Sequence, residues 1–246
     1  MDTRGRHETK WALVTLAVGV VMALAFIPQP LDAATDQTIA QWDMNEPSGN
    51  GTRALVDGSG NSQHGTIGSS VLSGVEYAGA TGHKFTWVLP NQAPADPSRL
   101  DQVPSSTGLN PGTRDYAVIF RYRSTQNFGN VVQKGQAGSV NTGGYWKFEQ
   151  PLGFMTCLFR DASTSATVKS PISTNDGQWH VIRCEREAHR LTLTIDGVVV
   201  SQRNAQPHNI SNTRPITIGG KLNCDQIRIT CDYFVGELDY VRIESS

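Results

Sequence analysis

Apolar and polar residues alternate in short runs along most of this chain. Leu191, Leu193 and Ile195 alternate with Thr192 and Thr194, the period-two pattern of a half-buried strand. Asp196-Gly197 follows at once, and then the β-branched run Val198–Val200. Asp-Gly between two such runs marks a hairpin, because both turn residues must take positive φ. Asp176-Gly177 opens the preceding run in the same chemical way. The segment therefore predicts three antiparallel strands, 178–186, 190–195 and 198–203. Further runs predict strands at 83–89, 98–103, Tyr116–Arg123, Asn130–Lys134, Tyr145–Glu149 and Phe154–Arg160. The count reaches at least eleven, with no helical period of 3.6 after residue 34. Two stacked antiparallel sheets are expected, an all-β sandwich with aromatic and β-branched residues between its layers.

The start of the chain breaks this pattern. Arg4, Arg6 and Lys10 precede an unbroken apolar and small-residue run, Trp11–Ile27, then Pro28, Pro30 and Leu31-Asp32-Ala33-Ala34. A basic start, an apolar core and a small-residue exit are the parts of a secretory signal peptide. Residues 1–34 are expected to be such a segment, cut near Ala33 or Ala34. The alternative is an uncleaved anchor, since about 17 apolar residues is the lower limit for spanning a bilayer. Residues 35–246 then form one domain, a size that β-sandwiches reach as single units.

Composition narrows the partners. Charged residues make up 17% of the chain and the net charge is −1, against about 25% charged in ordinary globular proteins. No basic face is visible, so nucleic acid and anionic membranes are poor candidates; a membrane would be met only through an uncleaved N-terminal segment. Two glycosylation triplets occur, Asn50-Gly51-Thr52 and Asn209-Ile210-Ser211. Four cysteines, 157, 184, 224 and 231, allow three disulfide pairings. None of their spacings is the Cys-x-x-Cys of a zinc site.

Three blocks carry a family resemblance. Asp176-Gly177-Gln178-Trp179-His180 with the strands up to Asp196-Gly197 is one. Ala40-Gln41-Trp42-Asp43-Met44-Asn45-Glu46 with Asp57-Gly58-Ser59-Gly60-Asn61 is the second. Ile218-Gly219-Gly220 with Tyr233–Ile243 is the third. Together they resemble laminin-G-like domains of the concanavalin A-like lectin and glucanase superfamily. The resemblance implies a two-sheet antiparallel jelly roll. It also implies that Cys157 and Cys184 lie in neighbouring strands of one sheet and are bonded. Cys224 and Cys231 bracket a short excursion, Asp225–Thr230, and are expected to form the other pair. Many members of the superfamily hold one calcium ion, and the positions here that match a glucanase-type ion are Glu46 and Asp239. A structural calcium shared by these two carboxylates is the expectation.

Catalytic patterns are weak. Glycoside hydrolysis needs two carboxyl groups flanking the scissile bond, and glucanases of this fold carry Glu-x-Asp-x-Glu along one strand. Glu237-Leu238-Asp239 supplies two acids, but Val241 stands in the third place; Glu185-Arg186-Glu187 runs straight into a turn. No Gly-x-Ser-x-Gly or His-Glu-x-x-His is present. His180 and Trp179 are expected to pack or hydrogen-bond within the sandwich. Tyr77, Trp87, Phe128, Tyr145 and Trp146 are the aromatics that could stack on a sugar, without the sequence saying which point outward. The first reading is an exported, non-catalytic module that binds a glycan or an extracellular protein. Its rivals are a glycan-cleaving enzyme (hydrolase or lyase) of the same fold and a structural cell-envelope protein.

Overall fold

The computed structural model describes residues 37–48, 53–77, 80–86, 95–204, 209–224 and 231–246. The expected signal segment, Trp87 and the Asn50 triplet lie outside them. In chain order the strands are β1 (Gln37–Trp42), β2 (Ala54–Leu55), β3 (Gly65–Thr66), β4 (Leu72–Tyr77), β5 (Ala80–Phe85), β6 (Asp101–Val103), β7 (Tyr116–Arg123) and β8 (Asn130–Lys134). They continue as β9 (Tyr145–Glu149), β10 (Thr156–Arg160), β11 (Ser165–Lys169), β12 (His180–Glu187), β13 (Arg190–Ile195), β14 (Val198–Arg203), β15 (Ile216–Ile218) and β16 (Gly236–Ser245). Among the described residues the only helical pieces are short 3-10 turns.

Two eight-stranded antiparallel sheets face each other. The first runs β14-β13-β12-β7-β16-β5-β4, with β1 also paired to β16; the second runs β11-β10-β9-β8-β15-β6-β3-β2. Alternation decides which side chains enter the core. Along β7, Phe120 and Tyr122 are fully buried, while Arg121 and Arg123 between them turn outward. Phe120 meets Phe148 of the opposite sheet edge-to-face at 5.2 Å, a geometry aromatic pairs favour. Leu191, Leu193 and Ile195 point inward as their spacing requires.

The hairpin turn is as expected: Asp196 and Gly197 both have positive φ, 51° and 81°. Other boundaries moved. The run expected at 98–103 begins only at Asp101, because Asp96 caps a 3-10 turn at Pro97–Arg99 by accepting from the Ser98 amide. The strand expected from residue 83 starts at Ala80 instead. β4 and β11 escaped prediction, being edge strands, β4 with weak alternation and β11 only five residues long with small or polar side chains.

Both disulfides are present, Cys157–Cys184 and Cys224–Cys231. The reason expected for the first was wrong. Cys157 lies on β10 in the second sheet and Cys184 on β12 in the first, so they are not neighbours in one sheet. Both sit at inward, fully buried positions, and the bond crosses the core with its Cα atoms 6.4 Å apart. Stacked sheets usually lie about 10 Å apart, so the bridge marks a place where the layers are drawn together.

Candidate functional site

One end of the first sheet gathers four segments that are distant in sequence. β7 runs antiparallel to both β12 and β16, and β16 antiparallel to β5. The end of β7, the approach to β12, the start of β16 and the end of β5 therefore come together. Register places Glu237 opposite Arg123 on one side and Lys84 on the other. All three project from the outer face. Arg123 Nε donates to Glu237 Oε2 at 2.8 Å, and Lys84 Nζ lies 3.4 Å from Glu237 Oε1. Beside them opens a cleft of about 410 Å³, to which Thr86, Thr125 and Gly177 also contribute. Among the described residues that line it, Glu237 is the one carboxylate and Lys84 and Arg123 are the cations.

An aromatic wall flanks this cleft. Trp179 lies across the outer face with its ring 4.3 Å from that of Tyr77. The Arg121 guanidinium is 4.7 Å from the Trp179 ring centre, and Arg123 is 5.0 Å from Trp179 and 5.7 Å from Tyr77. Such contacts contribute about 0.5–1 kcal/mol each at exposed sites; their larger effect here is to hold the guanidinium planes in place. Asp239 fixes the second arginine, accepting from Arg121 Nη1 at 2.7 Å. Tyr77 can lie flat because residue 82 is glycine: a Cβ there would stand 2.5 Å from the Tyr77 hydroxyl. That hydroxyl donates to the Thr81 carbonyl. Burial, and then the Asp239 carboxylate beside it, raise its pKa.

His180 holds the rim. Its Nδ1 is 2.7 Å from Asp196 Oδ2 and its Nε2 is 3.1 Å from Asp176 Oδ1, so one imidazole ties both Asp-Gly turns together. Asp176 Oδ1 also accepts from the Gln178 amide. That bond, ahead of the contact with His180, lowers the carboxyl pKa of Asp176. Burial opposes protonation of His180, but hydrogen bonds to Asp196 and Asp176 outweigh it and raise its pKa. The packing role expected for His180 and Trp179 matches these contacts, except that Trp179 packs on the outer face and not between the sheets.

Glu46 and Asp239, the pair expected to share calcium, have separate partners. Asp239 is held by Arg121 on the outer face. Glu46 is buried, its Oε1 accepting from the Val56 amide at 2.9 Å and its Oε2 lying 3.0 Å from His83 Nε2. The other ring nitrogen of His83 is 2.6 Å from Asp101 Oδ2. Burial favours the neutral imidazole, but Asp101 and Glu46 outweigh it and raise the His83 pKa to about 9. Burial raises the Glu46 pKa too, and hydrogen bonds from His83 and Val56 bring it below its ordinary value. The cluster joins β5 of the first sheet to β6 of the second. Among the described residues no set of three acidic, histidine or cysteine side chains has the arrangement of a metal site. As placed, Glu46 and Asp239 do not fit one shared ion.

The stacking candidates also separate. Tyr145 and Trp146 are core residues, Tyr77 is covered by Trp179, and Phe128 is 41% exposed. Phe128 stands on the loop after β7, whose Asn127 bonds both Gly153 and Asn175 of adjoining loops. Arg123 and Lys84 were not singled out in the sequence. The signal for Arg123 was there in Arg121-Tyr122-Arg123, two cations spaced to share the outward face of a strand.

The sequence profile of the laminin G domain matches residues 121–246. No curated protein matches the chain in sequence. Among solved structures, it resembles domain 4 of AbnA, an extracellular arabinanase from Geobacillus stearothermophilus solved with arabinotriose. The identity is 15% and the TM-score 0.58, over 86% of this chain and 93% of that domain. It also resembles the binding domain of botulinum neurotoxin serotype G (16% identity, TM-score 0.57, 85% of this chain and 46% of that one). The binding domain of Paraclostridial mosquitocidal protein 1 is similar too (12% identity, TM-score 0.59, 85% and 48%). The chain thus spans less than half the length of the two toxin domains. These likenesses show the jelly-roll fold.

Proposed function

Because this chain belongs to the laminin G domain family, we propose that it is an exported carbohydrate-binding module without catalytic activity, its ligand seated in the cleft beside Arg123. The observation that carries this reading is the cleft itself. It combines two cationic donors (Arg123, Lys84), an acceptor (Glu237) and the hydroxyls of Thr86 and Thr125, with Arg123 held against the neighbouring Trp179 and Tyr77 rings. A few placed polar groups beside an apolar surface is the general make-up of a small-ligand site. A matching structure of this fold that covers most of the chain was solved with a sugar, arabinotriose.

The chemistry of Glu237 supports a binding role over hydrolysis. A glycosidase needs a second carboxyl group across the scissile bond, and here the nearest acid along the strand, Asp239, is engaged by Arg121. Two buried disulfide sulfurs joining the sheets suit an oxidising compartment, in keeping with export through the N-terminal segment. Screening the secreted chain on a glycan array, with a parallel assay for released sugar, tests the reading. Binding with no release is expected. Release of sugar that Glu237→Gln abolishes would make the protein an enzyme, and the absence of any glycan binding would refute the module.

A further inference from the structure

The cleft carries more positive than negative charge. Glu237 is shared by two cations, Arg123 and Lys84. The neighbouring pair, Arg121 with Asp239, is balanced. Asp176 on the Gly177 side is engaged by His180 and the Gln178 amide. Arg123 commits only Nε to Glu237; among the described residues its two Nη groups make no hydrogen bond. Its plane is nevertheless fixed, with Trp179 and Tyr77 against it. Lys84 has its side chain 44% exposed and reaches Glu237 only at 3.4 Å. A guanidinium fork held in place with free donors is pre-organised for a planar anion, and an exposed ammonium beside it supplies a second point charge.

Resting on the reading of the cleft as a glycan site, we propose that it selects acidic saccharides, the ligand's carboxylate or sulfate being received by the Nη donors of Arg123 together with Lys84 Nζ. The hydroxyls of Thr86 and Thr125 and the Glu237 oxygens then face the neutral hydroxyls of the same sugar. Recognition comes directly from side-chain cations and requires no metal ion.

The test compares matched probes on the full secreted chain by calorimetry. The first pair is a trigalacturonate and its methyl ester, which keeps the same sugar rings without the charge. The second is a sulfated galactan oligosaccharide and its desulfated form. A hydrogen bond to a charged group contributes about 1.5–3 kcal/mol, so each neutral form should bind about ten- to a hundredfold more weakly than its acidic partner. Whichever acidic form binds tighter names the anion. Lys84→Gln, at a side chain 44% exposed, should weaken the acidic probe several-fold more than the neutral one. Arg123→Lys should weaken it further, with the melting temperature measured to separate misfolding from lost recognition. Equal binding of acidic and neutral probes overturns the proposal while leaving a neutral-glycan module standing. Acidic preference that survives both substitutions also overturns it, by placing the site elsewhere. Failure of these probes and of every glycan on an array removes the underlying module reading as well.

Discussion

The imidazole Nε2 of His83 lies 3.0 Å from the Glu46 carboxylate, and Asp101 holds the other side of the ring. The imidazole compensates the Glu46 carboxylate from inside the sandwich; a calcium ion shared with Asp239 is the other way to supply that compensation. The two arrangements predict opposite melts. With the histidine clasp, complete removal of calcium should leave the melting temperature unchanged. His83→Ala, which strands two buried carboxylates, should cost about 3–5 kcal/mol. For a domain near 200 residues that is a fall of about 6–20 °C. A chelator-induced fall of 5 °C or more, suppressed in Asp239→Asn, would reinstate the calcium clasp.

The same clasp sets a pH dependence. The folded pKa of His83 is raised to about 9, above about 6.5 for a free histidine. Its contribution is therefore fully present below pH 6.5 and is lost as pH rises through 9. Stability should drop by on the order of 3 kcal/mol across that window. In His83→Gln the decline between pH 6.5 and 9 should be largely gone; an equal slope in the variant would show that another group titrates there.

The inter-sheet disulfide should matter more than its single bond suggests. Cys157 and Cys184 are 27 residues apart, and closing a loop of that length stabilises by about 3–4 kcal/mol on the chain-entropy model. The double substitution Cys157→Ala, Cys184→Ala should lower the melting temperature by about 6–16 °C. Non-reducing peptide mapping of the parent should recover 157–184 and 224–231, and a 157–224 or 157–231 link would contradict the topology.

Trp179 is a testable support of the cleft. Trp179→Ala removes the ring that Arg121 and Arg123 lie against. The loss to folding should be modest, about 1–3 kcal/mol for the packing and cation–π contacts together, because the ring is only partly buried. Glycan affinity should fall at least tenfold as the guanidinium of Arg123 loses its fixed plane. Intact affinity in a folded variant would remove the aromatic wall from the site.

What the sequence determined by itself was local. The apolar run Tyr116–Phe120 marked one strand, and strict alternation in Leu191–Ile195 marked another together with the face it buries, because successive side chains of a strand point to opposite sides. Asp196-Gly197 gave a turn, because few residue pairs tolerate two positive φ values. The order of the three family blocks gave the jelly roll. Tertiary structure decided whatever depended on which strand pairs with which, since hydrogen bonding between strands leaves no mark on local periodicity. That is why Cys157 and Cys184 were paired rightly but set in one sheet, when they face each other across two. It is why Glu46 and Asp239, both near the first and last strands, were expected to share an ion, although their partners, His83 inside and Arg121 outside, lie on opposite sides of the first sheet. The cleft depended on this pairing most of all. Lys84, Arg123, Gly177 and Glu237 line one opening only because four strand ends, far apart along the chain, are brought side by side by the register of β5, β16, β7 and β12.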